Sequence, residues 1–180
     1  MSDPWDDLAA LERHVWERLA RGAAAADDPF RLVALATAGA EGPAARMVAL
    51  RRAERGLREV EVHSDLRTAK LRALRSDPRA AILAWDAGAQ LQVRLALAVR
   101  VLEADPGRWS EVPPEARENY GTDPAPGTTV SHPATVTRTP ERARFAALVG
   151  RVEAMDVVSL AHAPHRRAVI DAAGARWVAP

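Results

Sequence analysis

Residues 46–74 read RMVALRRAERGLREVEVHSDLRTAKLRAL, and the pattern changes character twice along them. Branched and charged residues alternate up to Arg51, RRAERG supplies a polar turn, and LREVEVHS alternates again. Leu66, Leu71 and Leu74 then come among cations in what reads as a short helix, which Ser76-Asp77-Pro78 closes because proline disfavours helical backbone before it. The stretch reads as a β-hairpin running directly into a helix.

Its neighbours are also extended. RLVALATAG (31–39) stops at AGAEG, and AAILAW (80–85) precedes AQLQVRLALAVRVLE (89–103). In the last of these Leu91, Val93, Leu95, Leu97 and Val99 share one face and Gln92 and Arg94 the other, the period of a half-buried strand. Trp5, Leu8, Leu11, Val15 and Leu19 step by threes and fours, so residues 1–28 form an N-terminal helical segment whose early aspartates suit the helix dipole. RWSEVPPEARENYG (108–121) reads as a helix broken by prolines, and residues 121–139, rich in Pro, Thr and Gly, as a loop. TPERARFAAL (139–148) suggests a short helical start, followed by strands in VGRVEAMDVVSLAH, HRRAVIDAAG and ARWVAP. Strand–helix–strand alternation is missing, so the expected class is α+β, an antiparallel barrel with peripheral helices, in one domain spanning residues 1–180.

Composition narrows the function. Without cysteine there is no disulfide framework, thiolate nucleophile or cysteine-held metal. No basic leader and no membrane-length apolar window is seen, so the expectation is a cytoplasmic protein without a membrane partner. A net charge of +1 gives no field for nucleic acid. Of 25 cations 24 are arginine, which makes the lone lysine, Lys70, the informative one.

In a strand, Arg46, Val48 and Leu50 share one face and Met47, Ala49 and Arg51 the other. The hairpin would return His63 and Ser64 towards Arg46. Ser64 and Thr68 offer hydroxyls, a helix beginning after Asp65 offers free N–H groups, and Arg46 and Lys70 offer charge, which together suit a phosphate monoester.

Taken in order, RMVALR, the polar strand end HS, TAK, DPR and LQVR resemble the flavin-binding core of the pyridoxamine phosphate oxidase-like family over roughly residues 31–103. The resemblance implies a split β-barrel homodimer with FMN at the subunit interface. It also implies oxidoreductase activity on a small molecule or nicotinamide, with a non-catalytic flavin, haem or deazaflavin binder as the alternative. On it Arg46, His63, Ser64, Thr68 and Lys70 approach the phosphate and ribityl chain, Met47, Val48 and Ala49 lie along the ring, and Gln92 hydrogen-bonds it from across the cleft. Arg51 matches a position that helps hold the substrate, and Trp109, Arg117 and Arg166 fall near substrate in relatives, whereas Leu160, Ala168 and Ile170 replace an expected aromatic, histidine and arginine. No side chain stands out as a catalytic acid or base. The pair in HAPH (162–165) lacks the carboxylates of a metal site, so no metal is expected.

Overall fold

The structure, a computed structural model, describes residues 3–40 and 42–180. Among the described residues there are ten strands: β1 (Leu32–Gly39), β2 (Gly42–Glu54), β3 (Glu59–Asp65), β4 (Arg79–Asp86), β5 (Leu91–Glu103), β6 (Thr122–Asp123), β7 (Thr137–Arg138), β8 (Phe145–Ser159), β9 (Arg166–Asp171) and β10 (Gly174–Val178). Four helices accompany them: α1 (Leu8–Ala24), α2 (Ala69–Ser76), α3 (Pro106–Glu111) and α4 (Pro114–Arg117).

Strands run in the order β10-β9-β8-β3-β2-β1-β4-β5, and β5 also pairs with β8, which closes β8-β3-β2-β1-β4-β5 into an antiparallel six-stranded barrel. The period of two decides what fills it: Val33, Leu35, Val60, Val62, Ile82, Val93, Leu95 and Met155 point inward and are buried. β8 is the seam, pairing with β3 from Phe145 to Arg151 and with β5 from Ala146 to Ser159. It begins at Phe145, so the helical start expected over 139–148 is replaced by one 3-10 turn at Arg142–Arg144 and a long strand. Two long-range ladders outweigh the helix preference of an Ala-rich stretch. Across the seam Leu97 packs on Gly150, where an added Cβ would lie 2.9 Å from Leu97 Cδ1.

Helix α1 plugs one side with Leu11, Val15, Trp16 and Leu19, and Asp7 caps it by accepting from the Ala10 N–H at 2.7 Å. Arg18 holds it to the end of β4 through a buried 2.6 Å ion pair with Asp86, its guanidinium lying over the Phe30 ring. The following turn needs Gly22, because a Cβ there would sit 2.6 Å from Phe30 Cβ and 2.8 Å from Phe30 backbone atoms. Alanine normally gains about 1 kcal/mol over glycine inside a helix, but forcing α1 off Phe30 costs about 1–3 kcal/mol. Gly22→Ala is therefore expected to lower the midpoint of urea unfolding; a midpoint unchanged or raised would contradict the packing.

A second, smaller core lies outside the barrel, where Val112 and Tyr120 of the α3–α4 region pack on Phe145 and Ala147. The outer face of β2-β1-β4, by contrast, is uncovered. Leu32, Met47, Leu83 and Trp85 are 56%, 61%, 40% and 42% exposed on it, and the register sets them among Ala34, Ala36, Ala45, Ala49 and Ala81. No helix among the described residues is long and apolar enough to cross a membrane.

Candidate functional site

Ser64 and Asp65 end β3, and both are buried. Asp65 turns the chain: its carboxylate accepts from the Arg67 N–H at 2.9 Å, and its carbonyl accepts from the Thr68 hydroxyl at 2.8 Å. That turn uses residues 65–68, so α2 starts at Ala69 with Thr68 as its N-cap, and not directly after Asp65 as expected. The first turn of α2 then carries Lys70 back over the strand end, where Nζ donates to Ser64 Oγ at 3.0 Å and Ser64 Oγ lies 3.1 Å from Thr68 Oγ1.

Arg46 approaches from β2. Its Nη1 donates to Thr37 Oγ1 at 2.9 Å and to the Leu35 carbonyl at 3.1 Å, and it lines a cleft of about 300 Å³ between the β1–β2 hairpin and α2. Burial, and then the positive charge of Arg46, push the Lys70 pKa below its ordinary value. Two cations, the one at Arg46 weighing on Lys70, stand beside two hydroxyls and form a local surplus of positive charge and hydrogen-bond donors suited to an oxyanion.

His63 points the other way, because neighbouring strand residues face opposite sides. Its Nε2 is 2.8 Å from Glu61 Oε1, its ring is edge-on to Phe145 at 4.9 Å, and its Nδ1 is buried without a partner. Glu61 also accepts from Arg108 Nε at 2.8 Å. Burial pushes the Glu61 carboxyl up, but hydrogen bonding and charge from His63 and Arg108 outweigh it, and the net pKa lies below the usual value. A depressed carboxyl stabilises the fold above the unfolded value of about 4.3, and that contribution disappears as pH falls through the folded pKa. Glu61→Gln is thus expected to melt several degrees below the parent at pH 7, with the gap closing below about pH 4. A gap independent of pH would show that Glu61 acts by packing alone.

Arg51 occupies a bulge. Leu50 pairs with Val62 and Arg52 with Glu61, so Arg51 is the extra residue and the alternation of β2 reverses beyond it. Strict alternation would return Arg52 to the side of Arg46; instead Arg51 and Arg52 line one cleft of about 480 Å³ together with Arg31, Glu61, His63 and Glu111. Arg51 also lies close enough to the Tyr120 hydroxyl to offset part of the rise that burial causes in that phenol's pKa.

The remaining expected residues scatter within one chain. Met47 and Gln92 lie on the uncovered outer face, with Gln92 opposite Trp85, while Val48 and Ala49 are half-buried along β2. Trp109 packs edge-on to Phe145 at 5.5 Å, and Arg117 stands 5.4 Å over its ring while donating to the Val112 carbonyl. Arg166 bonds instead to the N-terminal segment, at 3.4 Å from Asp3 Oδ2 and 3.2 Å from the Trp5 carbonyl. Ala168 and Ile170 face the barrel core. Sequence reasoning missed Arg31, Glu61 and Arg108, and also His162, which joins Ser159 at 2.7 Å and Asp3 at 2.9 Å in a tether for residues 3–6.

A closed antiparallel barrel with a polar strand end under a short helix places the molecule among the split β-barrels. A family model described as pyridoxamine 5'-phosphate oxidase, FMN-binding domain, matches residues 9–103, and the chain belongs to that family. Among solved structures it is similar to a pyridoxamine 5'-phosphate oxidase-related, FMN binding protein from Nostoc punctiforme, with TM-score 0.73 and 20% identity over 100% of both chains. It is also similar to PhzG from Burkholderia lata, solved in complex with tetrahydrophenazine-1-carboxylic acid, with TM-score 0.74 and 19% identity over 100% of this chain and 98% of that one. General Stress Protein 26 from Bacillus anthracis is more distant, with TM-score 0.57 and 11% identity over 80% of this chain and 93% of that one. No curated protein matches the sequence. At these identities the solved structures speak for the fold.

Proposed function

We propose that the chain is an FMN-dependent oxidoreductase that works as a homodimer on a small molecule or nicotinamide. The observation that carries this reading is the cluster of Lys70, Ser64, Thr68 and Arg46, whose two cations have no carboxylate partner among the described residues. A phosphate monoester brings the negative charge that this cluster lacks, and the donor set fits it. From that anchor β2 runs through Met47, Val48 and Ala49 as a wall for a flat ring. Gln92 is held on the uncovered outer face, so it would reach the ring from a second copy docked there.

FMN, when bound, supplies a ring that accepts a hydride or electrons from the substrate. The chain's own residues hold its tail, exclude water from one face and set where a substrate enters. The cytoplasm, with its nicotinamide pools, is the compartment proposed. The test is the visible spectrum of the purified full chain, with a titration of FMN into protein stripped of ligand. Flavin absorption and micromolar or tighter binding are expected; a colourless protein whose melting temperature FMN does not move would refute the reading.

A second reading, a flavin binder without turnover, is favoured by one observation. Arg166, Ala168 and Ile170 serve the N-terminal tether and the core, and among the described residues no C-terminal side chain lines either cleft. Reduction of the bound flavin by NADH or NADPH, or turnover with amines, would exclude it.

A further inference from the structure

The space beside the Lys70 pocket is larger than one phosphate group fills. The cleft between the β1–β2 hairpin and α2 holds about 300 Å³, the volume at which sites for whole small molecules begin. It runs along α2: Ala69, Arg72, Ala73 and Ser76 line it, and their spacing by threes and fours makes them one face of that helix. Small residues hold the space open, Ala69 and Ala73 from the helix and Gly39 and Ala44 from the hairpin. Thr37, Arg46, Arg72 and Ser76 give it polar character.

Arg72 is the unneutralised cation of this wall. It is exposed, its Nη1 donates to the Arg67 carbonyl at 3.0 Å, and among the described residues it meets no carboxylate. The neighbouring arginines do: Arg67 pairs with Asp65, Arg75 with Glu103 and Arg79 with Asp77. Arg46 joins the cleft to the Lys70 pocket. Its charge weighs on Lys70, and its guanidinium, held by Thr37 Oγ1 at 2.9 Å, lines the cleft as well. An anion at Ser64, Thr68 and Lys70 and a second anion beside Arg72 would thus have Arg46 in common, an arrangement that suits two phosphates joined by a bridging oxygen.

We propose that the cleft along α2 is a second phosphate site, that it takes the outer phosphate of a flavin diphosphate such as FAD, and that Arg72 is the residue that recognises that phosphate. The proposal rests on the flavin reading and extends it. The inner phosphate stays with Lys70, Ser64 and Thr68, the outer one lies between Arg46 and Arg72, and the nucleoside of a dinucleotide extends beyond the cleft.

The test titrates riboflavin, FMN and FAD by calorimetry into the full chain stripped of ligand. FMN is expected to bind about tenfold or more tightly than riboflavin, and FAD at least as tightly as FMN. Arg72→Gln is expected to weaken FAD about tenfold while FMN loses clearly less, whereas Lys70→Ala weakens both. Arg72 is exposed and bonds a single carbonyl, so its variant should melt with the parent. Ser76→Glu, at the exposed end of α2, is the second variant, and its carboxylate should repel FAD more than FMN. FMN binding with FAD about tenfold or more weaker, equal losses of FMN and FAD in Arg72→Gln, or FAD affinity indifferent to both variants overturns the second site and leaves the flavin reading intact. A chain that binds none of the three flavins removes both.

Discussion

Lys70→Ala is expected to weaken FMN binding by about one to two orders of magnitude, and Arg46→Ala by a similar factor, since each removes a charge-assisted phosphate contact of roughly 1.5–3 kcal/mol. The ligand-free protein should respond in the opposite sense. Burial and Arg46 press on Lys70 while no phosphate is present, so removing the amine relieves a repulsion, and the melting temperature without FMN should hold or rise slightly. A structural lysine would show the reverse, losing stability with and without ligand. Affinity should also decline with rising pH before the ordinary lysine value of about 10.4 is reached, because the Lys70 pKa is lowered and only its protonated form pairs with phosphate. That alkaline limb should vanish in Lys70→Ala. Unaltered affinity in both single variants would remove the phosphate pocket from the account.

Leu83→Glu is expected to convert the proposed dimer into monomers, with FMN retention falling along with it. Leu83 is 40% exposed on β4, opposite Ala34 in the uncovered β2-β1-β4 face, and a twofold axis through that face would place the new carboxylate in the interface once from each copy. Desolvating an unpaired charge costs several kcal/mol, and symmetry doubles it. Leu57 provides the control: it is 59% exposed, but on the β2–β3 turn away from that face, so Leu57→Glu should leave the sedimentation profile unchanged. A parent chain that sediments as a monomer, or a Leu83→Glu variant that stays dimeric, would move the interface elsewhere and leave Gln92 without a ring to reach.

The barrel was legible because its inward residues are large and regularly spaced. Leu91 to Val99 alternate without exception, and the hairpin of β2 and β3 is framed by RRAERG. The Lys70 pocket was legible in part: Ser64, Thr68 and Lys70 do converge, yet the helix starts three residues later than expected, because the Asp65 carboxylate accepts from the Arg67 N–H and the Thr68 hydroxyl donates to the Asp65 carbonyl. His63 was placed with the phosphate group although alternation sends it to Glu61 and Phe145. The bulge at Arg51 leaves no mark in hydrophobic periodicity, since Leu50 is followed by Arg51, Arg52 and Ala53, on which either parity reads equally well. The outer face was hidden for a related reason: Ala34, Ala36, Ala45 and Ala81 are as compatible with a core as with a surface, and only the register shows which way they point. Arg31 and Arg108 could not be singled out among 24 arginines, because what distinguishes them is the presence or absence of a carboxylate neighbour distant in sequence.

The one-residue bulge makes β2 a molecular ruler. Arg46 and Arg51 are five residues apart on a nearly extended backbone, so their α-carbons are separated by roughly 16 Å whatever side chains lie between. On the proposed flavin reading, a cofactor tail at Arg46 and a substrate at Arg51 would divide that length between them. Inserting or deleting a residue in Val48–Leu50 would therefore change which lengths fit, and would do so before it changed the chemistry of either end.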